Sequence, residues 1–146
     1  MTTTAPPALD PDKLMAFVFR AVDEVGATLN TALVVMGDKL GLYRALNEGG
    51  PATPAELAKR TSTAERYVRE WLSAQAARGY VHYDGNGGFR LPDEHAVPLT
   101  DETSPAFLPG FFQIALGTVR DAHRVIDVAR GGAGLGWHEH NDDVHH

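Results

Sequence analysis

Apolar residues recur along the first third of the chain at three- and four-residue steps. Leu14, Phe17, Val18, Ala21, Val22, Val25 and Leu29 share one face of a helix. Asp10 followed by Pro11 supplies its start, with aspartate as N-cap and proline at the first helical position. A second set, Ala32, Leu33, Met36, Leu40, Tyr43 and Leu46, continues the period. Gly37-Asp38 interrupts this set and predicts a new helix start there, and Gly49-Gly50-Pro51 ends it. Thr53 and Glu56 have the spacing of a capping box, with Pro54 opening a short helix that carries Leu57 and Ala58. Ser62 and Glu65 repeat that spacing before a longer helix, whose expected buried stripe is Tyr67, Val68, Trp71, Leu72 and Ala74.

Beyond Gly79 the period changes. Tyr80 to Tyr83 and Gly88 to Leu91 are strand-forming runs on either side of Asp84-Gly85-Asn86-Gly87, which predicts a hairpin. Pro92 to Pro105 reads as loop with one short helical turn. Residues 107–129 read as one helix with Phe111, Phe112, Ala115, Val119, Ala122, Ile126 and Ala129 on one side. Gly131 to Gly136 breaks it. Helix, turn, helix and hairpin over Pro51 to Leu91 is the layout of a winged helix. The expected fold is mainly α: a winged helix-turn-helix with a small β-hairpin wing, flanked by long N- and C-terminal helices. Trp71 and Phe111 are its expected core anchors. The domain reading is a disordered tail over 1–9, a winged-helix and dimerisation domain over 10–130, and a linker over 131–146 toward an absent catalytic domain. A small winged helix does not cover both flanking stripes, which favours packing on a second copy and predicts a homodimer.

Composition narrows the functional classes. At 146 residues the chain buries a core without covalent staples, and it has no cysteine for a disulfide, a thiolate metal site or a thiol nucleophile. The N-terminus lacks the basic start and apolar core of a signal peptide, and no apolar run approaches a membrane span. A cytoplasmic location without membrane contact is expected. The net charge of −6 repels nucleic acid at long range. From Thr53 to Leu91 six cations face four anions, only a mild local excess. The second helix begins with Glu65 and Arg66, and the wing tip carries neither lysine nor arginine. Phosphate contacts dominate DNA affinity, so this element argues against nucleic acid as a partner. A winged-helix transcriptional regulator binding DNA or a small effector remains the alternative function.

Three stretches carry candidate chemistry. Val125 to Gly136 looks like a strand entering a glycine nucleotide loop, but its apolar residues continue the helical phase from Phe111. Only 10 residues follow Gly136, too few for the helix and acidic ribose ligand of such a site. A helix end with a glycine linker accounts for the same residues. The histidine-rich end holds His138, His140, His145 and His146 with Glu139, Asp142 and Asp143. These are metal-binding residue types, yet no partner that would orient them can be named, so no metal site is assigned. The remaining histidines, His82, His95 and His123, are isolated, and no catalytic residues are assigned.

Leu42-Tyr43-Arg44-Ala45-Leu46, Pro54 to Ala58, Glu65 to Leu72 and Gly79-Tyr80-Val81 resemble the N-terminal winged-helix domain of actinobacterial class I S-adenosylmethionine-dependent methyltransferases. Pro92 to Ala96, Ser104 to Gly110 and Gly136-Trp137-His138-Glu139-His140 extend the likeness over nearly the whole chain from residue 12. The resemblance implies a domain that pairs subunits and roofs a substrate cleft. It implies S-adenosylmethionine for a full-length enzyme, with no cofactor bound by this chain. A small-molecule substrate is implied only together with the catalytic domain. It also places Trp137, His138 and His140 where the chain passes the cleft, as candidate substrate-binding residues, with a histidine as general base.

Overall fold

A computed structural model describes residues 7–145. Seven α-helices and a two-stranded antiparallel sheet account for most of it, in the order α1 (Pro11–Lys39), α2 (Leu42–Gly49), α3 (Pro54–Thr61), α4 (Glu65–Ala77), β1 (His82–Tyr83), β2 (Phe89–Arg90), α5 (Asp93–Thr100), α6 (Pro109–Arg120) and α7 (Ala122–Gly131). Two single turns of 3₁₀ helix follow, Trp137–Glu139 and Asp142–Val144. The mainly helical winged helix-turn-helix expected from the pattern is the observed fold. Of the expected tail, residues 1–6 lie outside the described residues.

The core is built by α2, α3, α4 and the wing, closed by Val34 of α1 and by Ala96 and Leu99 of α5. Trp71, Tyr43, Leu42, Leu57, Leu72, Val34 and Val68 are fully buried. Val68, Trp71, Leu72 and Gln75 make up the inward face of α4, at the spacing one helix face requires. The Trp71 indole N–H donates to the Leu33 carbonyl at 2.8 Å, and its ring meets that of Tyr43 edge-on with centroids 4.9 Å apart. Asp10 caps α1 through the amides of Asp12 and Lys13, and Thr53 with Glu56 forms the expected capping box. His82 pairs with Arg90 and Tyr83 with Phe89, while Ala52 exchanges two hydrogen bonds with Phe89 as an isolated bridge beside the two-stranded wing.

Several local expectations are corrected. Gly37 does not start a helix: α1 runs unbroken through Lys39, and the break falls at Gly41, in the left-handed region at φ 70°. Gly37 serves close packing instead, since a Cβ there would lie 2.4 Å from the Trp71 ring and 2.7 Å from that of Tyr43. Ser62 does not cap α4. It ends α3 in a left-handed conformation at φ 53°, and Ala64 precedes α4 without a side-chain cap. Residues 93–100 form a two-turn helix that buries Ala96 and Leu99, where one turn was expected, because Pro98 inside it masks the pattern. The single helix expected over 107–129 is two, α6 and α7, meeting at Asp121. Tyr67 and Phe111 stay on the surface, Phe111 at 69 % exposure, and Gln75 holds the interior position expected of Ala74.

The flanking helices cover each other only in part. α6 lies along α1, and Phe112 reaches the core beside Tyr80. The first half of α1 nevertheless faces solvent on its apolar side. Phe17, Phe19, Val22, Val25 and Leu29 are each at least 60 % exposed. Among the described residues no helix is long and apolar enough to cross a membrane.

Candidate functional site

The C-terminal segment turns back onto α6 and α7, and Asp121 holds it there. Asp121 sits at the junction of the two helices and is 3 % exposed. Its Oδ2 accepts the backbone N–H of Asn141 at 2.7 Å and faces Nδ1 of His140 at 3.2 Å. The Arg124 guanidinium lies 3.6 Å from Oδ1 and also donates to the carbonyl of Glu139 at 2.6 Å. The Asn141 amide first, then His140 and Arg124, hold the Asp121 carboxyl below the usual carboxylate range. Farther along, Arg120 pairs with Asp143, and Gln113 donates to the same carboxylate at 3.3 Å. Gly117 permits this approach, since a Cβ there would come within 2.9 Å of Val144 and 3.0 Å of Asp143.

A pocket of about 530 Å³ opens between α7 and the first 3₁₀ turn, lined by Arg124, Asp127, Val128, Leu135, His138, Glu139 and His140. His138 and His140, two of the residues singled out from sequence, therefore share one cavity. Trp137 does not line it. Trp137 is 68 % exposed and lies beside the pocket, its ring tilted against that of His140 with centroids 6.0 Å apart and edge-on to that of His145 at 5.1 Å. The cavity brings a cation, carboxylates, two imidazoles and an apolar wall together, which suits a small polar ligand. Among the described residues no group of three or more histidines and carboxylates converges as a metal site would need.

Asp121 and Arg124 escaped the sequence reading. Each is one charged residue in an otherwise amphipathic helical run, and the contact with His140 spans 19 residues. The glycine run begins at Gly131, the last residue of α7, and Gly132 caps that helix in the left-handed region at φ 70°. A dinucleotide-type glycine loop instead follows a strand and opens a helix, so Gly131 to Gly136 do not form such a loop.

The winged helix itself directs several of its cations inward or to neighbours. Arg60 donates to the carbonyls of Gly50 and Pro51, Arg69 pairs with Glu65, and Arg78 pairs with Asp23 on α1. That leaves the exposed face of α4 with little unbalanced positive charge for phosphate.

The family model described as "Rv2258c-like winged HTH domain" matches residues 28–101, half of the chain, from the middle of α1 through α5. The chain belongs to this family. Trp137, His138, His140 and Asp121 lie outside the matched range. No curated protein matches the chain. Among solved structures, "PigF with SAH" is similar at TM-score 0.67 and 21 % identity, over 88 % of this chain and 35 % of that one. CalO1, described as a methyltransferase in calicheamicin biosynthesis in its SAH-bound form, is similar at TM-score 0.58 and 26 % identity, over 84 % and 35 %. The S-adenosylmethionine-dependent methyltransferase SibL in its apo form is similar at TM-score 0.57 and 21 % identity, over 76 % and 32 %. The chain thus spans about a third of the length of the structures it matches.

Proposed function

We propose that this chain is the N-terminal, subunit-pairing domain of a cytoplasmic S-adenosylmethionine-dependent methyltransferase. Residues 10–130 form the pairing domain, and 131–146 lead toward a catalytic domain that binds the cofactor. Trp137, His138 and His140 border the cleft that receives the methyl acceptor. The observation that carries the pairing role is the bare apolar side of α1. Leu14, Val18, Val22, Val25 and Leu29 follow one another at helical steps and are all solvent-exposed in one protomer. A continuous apolar stripe of this length is costly to leave in water and fits a copy of itself across a two-fold axis. The methyltransferase role is supported by the three solved relatives, each a longer chain described as a methyltransferase or with the demethylated cofactor bound.

Sedimentation equilibrium tests the pairing. A dimer at micromolar concentration is expected, and Val22→Glu with Leu29→Glu should yield a folded monomer. A wild-type monomer at that concentration overturns it. The methyltransferase role is tested by the coding sequence downstream of His146. A reading frame running into a glycine-rich strand-loop-helix supports it, and an isolated frame with no methyltransferase beside it refutes it.

A further inference from the structure

The buried carboxylate of Asp121 lies against only one ring nitrogen of His140. Ionised, that carboxylate offers lone pairs and no proton, so the nitrogen 3.2 Å from it makes a hydrogen bond only as N–H. Asp121 is itself fixed from three sides: the Asn141 amide at 2.7 Å, the Arg124 guanidinium at 3.6 Å, and its own place at the α6–α7 junction. The imidazole is less free than a surface histidine. Its side chain is 26 % exposed, Trp137 lies beside it, and it lines the pocket under α7. With Nδ1 engaged, Nε2 is the ring nitrogen left for a ligand.

We propose that Asp121 is a positioning residue that holds His140 in the Nδ1–H tautomer, leaving Nε2 as a proton acceptor at the pocket beneath α7. A carboxylate behind an imidazole orients the ring and stabilises the imidazolium formed when Nε2 takes a proton. The ligand class this suits carries a weakly acidic hydroxyl: the O–H proton moves to Nε2, and the resulting cation faces Asp121. His138, Arg124, Asp127 and Glu139 are the other charged or titratable groups around the same cavity. The use of His140 on a methyl acceptor rests on the function proposed above. The tautomer does not.

Long-range ¹H–¹⁵N correlation spectra of the chain, recorded about two pH units above the ordinary histidine range of ~6.5, read the tautomer directly. His95 is an internal standard, because its Nδ1 faces the Tyr80 carbonyl at 2.8 Å and a carbonyl only accepts. The expected spectrum shows His140 with the same Nδ1–H pattern as His95. Asp121→Ala should return His140, and not His95, to the Nε2–H form that a free imidazole prefers. An Nε2–H tautomer in the wild-type chain overturns the proposal even if the variant fails to fold, and so does a tautomer that Asp121→Ala leaves unchanged. Diethyl pyrocarbonate supplies a second readout. It should modify His140 in the wild-type chain at Nε2, located by mass spectrometry, and a protected His140 would refute the accessible acceptor. These measurements involve no methyl transfer. Failure of the methyltransferase reading would leave them standing, and their failure would leave that reading intact.

Discussion

Gln75 donates from Nε2 to the Asn30 Oδ1 at 2.9 Å and accepts the Tyr43 hydroxyl on its Oε1. This chain of three side chains joins α4, α1 and α2 inside the core. Gln75 and Asn30 are 0 % and 5 % exposed. Burial, first of all, pushes the Tyr43 hydroxyl far above the ordinary tyrosine range, so it stays protonated and remains a donor. A buried polar chain of this kind specifies register: sliding α1 by one residue would strand two polar groups, the Asn30 carbonyl and the Gln75 amide.

Asn30→Ala removes the acceptor and leaves the Gln75 amide buried without a partner. An unmade buried hydrogen bond costs about 1–3 kcal/mol. The urea midpoint should fall accordingly. An unchanged midpoint would mean that the Gln75 contact contributes nothing.

Gly37→Ala should destabilise the fold although alanine favours helix by ~1 kcal/mol. The added methyl meets the Trp71 ring at 2.4 Å, and Trp71 is fixed by its bond to the Leu33 carbonyl. Overpacking of this kind costs about 1–3 kcal/mol, so the clash outweighs the propensity. A thermal midpoint at or above that of the wild type would refute the close-packing role.

Trp71→Ala and Phe111→Ala should differ sharply. Trp71 is 1 % exposed and its truncation should cost about 3–5 kcal/mol. Phe111 is 69 % exposed and its truncation should alter the stability of a single protomer by no more than ~0.5 kcal/mol. Chemical denaturation of the paired-helix double variant Val22→Glu, Leu29→Glu, with and without each alanine, separates protomer stability from pairing. A large loss for Phe111→Ala in that background would place the ring in the core after all.

The winged helix was legible because its signals are local. The capping box at Thr53, the turn residues at Asp84 to Gly87 and the period of α4 each act within a few residues. What was not legible depends on distant neighbours. The sequence pattern cannot distinguish a glycine that breaks a helix from one that admits a tryptophan, and Gly37 is the second kind. Phe111 and Trp71 have the same helical periodicity, and only the position of α6 against α1 makes one of them a surface residue. At the candidate site, Trp137, His138 and His140 stood out by residue type, whereas Asp121 acts across a fold-back that no spacing announces.

Acid should release the C-terminal segment before it unfolds the winged helix. The Asp121 carboxyl is depressed chiefly by the Asn141 amide, so its contribution is fully present above the ordinary aspartate value of ~3.9 and is lost as pH falls through the lower folded value. Once the Asp121 carboxyl is neutral, residues 137–144 lose the charged anchor that holds the Asn141 amide and His140. The core of α2, α3 and α4 rests on apolar burial and should persist longer, although Glu56 at its capping box titrates in the same direction. Trp137 and Trp71 are the only tryptophans, one at the segment and one in the core. With Trp71→Phe, fluorescence isolates Trp137, and its transition should precede the loss of helical circular dichroism as pH is lowered. Coincident transitions would show that Asp121 is not the anchor.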